Sequence, residues 1–147
     1  TLFFTMIASI LLGMGLPTTA KYIILSIMAA PALVDLGVNP LAAHLFILYF
    51  GVIADLTPPV AVAAFAAAGI SGGNSMKTGF IAVRLAVAGF MIPFLFALDP
   101  GLLFINSTIG HTLLLIVTAL AGVLALGAAA GNQGIVIINR NLTNLSN

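Results

Sequence analysis

Cysteine is absent from this chain. That excludes a disulfide framework, a thiol nucleophile and any Cys-based metal site. Charge is nearly absent too: 5% of residues are charged, where a soluble domain carries about 25%. With 62% apolar residues and a mean hydropathy of +1.29, the chain cannot cover a water-facing surface. It reads as an all-α integral membrane protein whose solvent is the lipid bilayer. A formal net charge of +1 provides no basic surface for nucleic acid. Nucleotide-binding P-loop, HExxH pair and nucleophile elbow are all missing, so neither an enzyme nor a cofactor is expected. The chain opens at Thr1 straight into an apolar run, without the charged n-region of a signal peptide. The expectation is a fragment of a larger machine whose N-terminal part lies upstream.

What the chain does have is two apolar runs, each interrupted by helix breakers. Leu2–Leu36 is broken by Gly13-Met14-Gly15-Leu16-Pro17-Thr18-Thr19, and Leu41–Ile70 by Asp55-Leu56-Thr57-Pro58-Pro59. Non-helical backbone inside a membrane is tolerated only where it is buried in protein or lines a cavity. Two such breaks point to the midplane ion and substrate site of a secondary transporter.

The halves of the first run, Leu2–Leu16 and Ala20–Leu36, are each shorter than the roughly 20 apolar residues of a comfortable span. The economical reading is a re-entrant helical hairpin over 2–36; one long kinked helix or two thin spans are the alternatives. Asp35–Pro40 is a surface turn, with Gly37 suited to a helix C-cap and Asn39-Pro40 to a helix start. The second run is long enough to cross. Pro58 and Pro59 lack amide protons, so the helix must open around Ala54–Thr57. This predicts a discontinuous helix over 41–70, with halves near Leu41–Ala54 and Pro58–Ile70. Together, 1–70 form one unit. Two further spanning helices follow within 80–130, Phe80–Leu98 with Arg84 near one end, and His111–Ala130. The polar, Asn-rich segment 131–147 is expected to lack regular structure. Lys77, Arg84 and Arg140 fall on the side opposite the hairpin opening, so the positive-inside bias has the hairpin entering from outside.

A half-helix C-terminus presents free carbonyls and its N-terminus free amides, with partial charges of opposite sign. The ends near Gly13, Gly15, Ala54 and Asp55 therefore suit a hard cation such as Na⁺. The starts near Thr18 and Pro58 suit a carboxylate. Gly13 and Gly15 let the backbone turn and approach a ligand, and Pro17 stiffens the tip. Thr18, Thr19 and Thr57 can cap a helix or coordinate an ion. Asp55, an ionisable group within a membrane helix, is a functional candidate by default: it can bind Na⁺, carry a proton, pair with Lys21, or face a watery crevice. Lys21 can contact an anionic substrate, pair with Asp55, or snorkel. The ion-binding candidates are thus Gly13, Gly15, Ala54, Asp55 and Thr57, and the substrate-binding candidates Pro17, Thr18, Thr19, Lys21 and Pro58. His44 and His111, each near a helix start, read as interfacial.

The stretch Leu12-Gly13-Met14-Gly15-Leu16-Pro17-Thr18-Thr19-Ala20, followed by Ala54-Asp55-Leu56-Thr57-Pro58-Pro59-Val60-Ala61, resembles the large membrane subunit of TRAP (tripartite ATP-independent periplasmic) transporters. It is most similar to the fused permeases of the TAXI-type branch, over roughly residues 1–100. The resemblance implies half of an elevator-type transporter in the cytoplasmic (inner) membrane of a bacterium or archaeon. It implies Na⁺-coupled import of organic acids delivered by a periplasmic solute-binding protein, with 13–19 as the hairpin tip and 54–59 as the broken-helix ion site. The family's related upstream hairpin and broken helix are not in this sequence, so the remaining permease sequence is an expected partner and the fragment alone should not transport.

A sodium–dicarboxylate-type symporter is the nearest alternative, but its hairpin tip tends to carry Ser-Asn-Thr where this chain has Leu-Pro-Thr-Thr. A membrane enzyme would want several polar groups at one depth, and only Lys21 and Asp55 are available. A membrane assembly subunit without transport is the remaining alternative.

Overall fold

The computed structural model describes residues 1–145, with side chains described as far as Gly131. The described residues form eight α-helices and two short 3-10 turns, with no strand among them. The helices are α1 (Leu2–Gly13), α2 (Thr18–Met28), α3 (Ala30–Val34), α4 (Pro40–Ile53), α5 (Val62–Ser71), α6 (Ser75–Leu85), α7 (Val87–Leu98) and α8 (Ile109–Leu145).

Local chemistry sets most of the boundaries. Gly15, at φ +73°, turns the chain between α1 and α2. Pro31 donates no amide proton, and the first apolar run gains a second interruption at Ala29, between α2 and α3. Gly37, at φ +86°, closes α3, where the Val38 amide donates back to the Leu33 carbonyl. Asn39 then caps α4 by accepting from the Leu41 amide at 3.0 Å.

The long run breaks where its prolines demand, but over a wider stretch than expected. After α4 the chain tightens into a 3-10 turn, Ala54–Leu56, and Thr57 is extended. The second half-helix begins at Val62, not Pro58. A proline disfavours the helical region for the residue before it, so Pro59 keeps Pro58 out of a helix. The turn is completed only at Ala61, which lies in the left-handed region at φ 36°.

Two further expectations need correction. The span expected over 80–98 starts at Ser75 and is bent by 44° between α6 and α7. Arg84 therefore sits beside this break rather than near a span end. The segment expected to lack regular structure continues α8 as helix to Leu145; extending an existing helix is far easier than nucleating one. Ser146 and Asn147, and the Arg140 side chain, lie outside the described residues.

By length and hydropathy, Ile109–Gly131 qualifies alone as a membrane span, and α6 with α7 qualify together as one bent span. α1, α2, α4 with the turn that follows it, and α5 are apolar but shorter than a span. The core centres on α4, which packs against α1, α2, α3 and α7. Phe46 and Phe50 of α4 are fully buried, with Phe94 of α7 at ring-centroid distances of 5.3 and 5.7 Å. These edge-on contacts fix α7 to α4 and leave the opposite side of α4 to α1 and α2.

Candidate functional site

The two breaks meet. Gly13, the last residue of α1, lies against Gly51 of α4. A methyl group at Gly13 would come within 3.1 Å of Gly51 Cα, 3.2 Å of its carbonyl oxygen and 3.3 Å of Ala54 Cβ. At the tip, a methyl on Gly15 would stand 3.4 Å from Val60. The small residues let the end of α1 approach the opening of α4 at backbone distance.

The sharpest contact is between charges. Lys21, in the first turn of α2, is 1% exposed, and its Nζ donates to Asp55 Oδ1 at 2.8 Å. Asp55 sits on the 3-10 turn with its side chain 32% exposed. The Lys21 stem runs beside Gly51, where a methyl group would lie 3.5 Å from Lys21 Cδ. Of the roles open to these two residues from the sequence, mutual pairing is the one this geometry displays.

Around the pair, the opened backbone is partly satisfied from within. Thr57 Oγ1 donates to the Ile53 carbonyl at 3.0 Å and its amide to the Ala54 carbonyl at 3.1 Å. Thr57 thus closes the end of α4. The N-cap position of α2 is Pro17, and no side-chain hydrogen bond caps this helix. Thr18 and Thr19 occupy its first two positions, exposed like Pro17 and Gly15. A helix start of this kind keeps its first amides available to a ligand. Pro58 turns elsewhere: a methyl at Gly79 of α6 would sit 3.0 Å from its ring. Having no amide proton, Pro58 cannot supply the donor expected at that half-helix start.

Sequence reasoning missed two residues. Gly51 admits both Gly13 and the Lys21 stem, and its position one turn before Asp55 was the available signal. Ser9, one turn before Gly13, is fully buried, and its hydroxyl is the buried side-chain group without a hydrogen-bond partner among the described residues. The two histidines, expected at the interface, each have a partner. His44 Nδ1 is 3.1 Å from Tyr22 Oη, tying α2 to α4. His111 lies 3.8 Å from Asp99 across the α7–α8 connection.

The paired breaks, one glycine-rich and one proline-rich, agree with a comparison against known families. Residues 1–111 match the family described as "Tripartite ATP-independent periplasmic transporter, DctM component". The chain belongs to that family. The DctM match takes in both breaks and stops in the first turn of α8, so most of that helix lies beyond it. As a DctM component the chain is part of a transporter permease of the inner membrane, working with a periplasmic binding protein. No curated protein and no solved structure matches the chain.

Proposed function

We infer that this chain carries the transport-domain half of a TRAP permease of the fused, TAXI-type branch, and that the permease imports organic acids on a Na⁺ gradient. The observation that carries this reading is the Lys21–Asp55 ion pair, which joins the hairpin tip to the broken helix. A buried cation and a carboxylate at the meeting of two half-helix ends supply both signs of charge that an anionic solute and a coupling cation need. Gly13, Gly15, Ala54, Asp55 and Thr57 form the ion side; Pro17, Thr18, Thr19 and Lys21 form the substrate side, and Pro58, turned to Gly79, takes no part. The hairpin is re-entrant from the periplasm, and 1–70 moves as a unit in an elevator stroke against a scaffold supplied by the rest of a multi-pass permease. The periplasmic binding protein delivers the acid.

The test is uptake of radiolabelled carboxylic acids into proteoliposomes holding the permease that contains this chain, with its binding protein and an imposed Na⁺ gradient. Uptake should require both, and should drop towards background in Asp55→Asn. Uptake driven by a proton gradient alone would recast Asp55 as a proton carrier. Uptake indifferent to the binding protein would refute the tripartite assignment.

A further inference from the structure

The Lys21 ammonium has three N–H donors and no acceptor of its own. Among the described residues it has one hydrogen-bond acceptor, Asp55 Oδ1, although the side chain is 1% exposed. Two donors of a buried cation are thus left over, which is costly unless another acceptor comes to them. Its stem is held beside Gly51 and Leu25 of the tightly packed α2–α4 contact, so the ammonium can swing only at its end. Asp55 is the reverse case. It stands on a 3-10 turn at an opened helix, a third exposed, with one carboxylate oxygen on Lys21 and the other unengaged among the described residues.

We propose that the Lys21–Asp55 pair is an internal stand-in for the cargo, and that cation and anion bind by partner exchange. This rests on the Na⁺-coupled carboxylate reading above. A Na⁺ ion takes Asp55 and a substrate carboxylate takes Lys21, each replacing the partner the other has lost. The empty site and the fully loaded site are then both charge-compensated. A site holding only the cation leaves a buried ammonium unpaired, and a site holding only the anion leaves the aspartate unpaired. Moving an uncompensated charge through the bilayer is expensive, so the half-loaded states are the ones suppressed. Coupling between the two cargoes arises because each ligand releases the residue the other requires.

The experiment reads Na⁺ alone, without any organic acid, through the Na⁺-over-K⁺ stabilisation of the detergent-solubilised permease containing this chain. In wild type Na⁺ must displace Lys21, so half-saturation should come at high concentration. In Lys21→Met the carboxylate is freed, and half-saturating Na⁺ should fall by about tenfold or more, within the usual range for coupled sites. The double variant Lys21→Met/Asp55→Asn removes both charges together and should fold even where a single variant does not, and it should lose the Na⁺ response. Unchanged half-saturation in Lys21→Met, or an intact Na⁺ response in the double variant, would overturn partner exchange while leaving Na⁺ coupling in place. Wild type indifferent to Na⁺ would take down the coupling reading and this inference with it.

Discussion

Lys21 and Asp55 are 34 positions apart and meet at 2.8 Å. Their pairing has a consequence for stability separate from transport. Removing one member of a buried ion pair leaves an uncompensated charge, at about 3–5 kcal/mol, whereas replacing both by neutral groups is often neutral or stabilising. Asp55→Asn should therefore lower the thermal stability of the purified permease, and adding Lys21→Met should restore most of it. A double variant as unstable as the sum of its single variants would show that the two side chains do not act as a pair. Ser9 offers a second test at this scale. A buried hydroxyl without a partner carries a desolvation penalty of about 1–3 kcal/mol. Ser9→Ala should leave unfolding in detergent unchanged or raise its midpoint. A fall would mean that the hydroxyl has a partner in the membrane-embedded protein. That Lys21 and Asp55 pair was one of the roles legible in the sequence, since ionisable groups in membrane helices demand explanation. Ser9 was not legible, because a serine in an apolar helix is unremarkable until its burial is known.

Among the elements, the broken helix shows what local sequence can and cannot say. Two consecutive prolines announce a break, and the break is there. Its width is set by the pre-proline restriction and by a left-handed Ala61, which moved the start of α5 from Pro58 to Val62. The bend at Ala86 carries no comparable mark: Pro93, the obvious breaker nearby, lies buried within α7 without ending it. Glycine shows the same dependence on backbone conformation at the end of α5. Gly69 is helical and Gly72 lies at φ +70°, and neither has a neighbour within 4 Å of a new methyl group. Space is equal, so conformation alone decides. Gly69→Ala should raise stability by about 0.5–1 kcal/mol, and Gly72→Ala should lower it by about 1–2 kcal/mol. Denaturation of the two variants side by side checks both, and equal signs would contradict the assignment of the α5 C-terminus.

For the whole molecule, α4 is the post on which α1, α2, α3 and α7 hang. Phe50 is fully buried and its ring meets those of Phe46, Phe90 and Phe94 at centroid distances of 4.8, 6.1 and 5.7 Å. Phe50→Ala should cost about 3–5 kcal/mol, read as a large drop in unfolding midpoint. If the site depends on this post, Na⁺ stabilisation should weaken with it; retention of the full Na⁺ response would show that the two breaks hold together without the α4–α7 contact.

The sequence by itself determined the solvent and the kind of protein. Sparse charge and apolar runs point to a membrane, and the glycines and prolines to two breaks in its helices; these follow from hydration, from the conformational freedom of glycine and from the missing amide proton of proline, which are local properties. Which residues share the site was decided only by the tertiary structure. Gly13 against Gly51, the Lys21 stem beside that glycine, and Lys21 on Asp55 all depend on how closely α1 and α2 approach α4. That distance is set by small residues facing one another across helices far apart in the chain, and no local pattern encodes which glycine faces which.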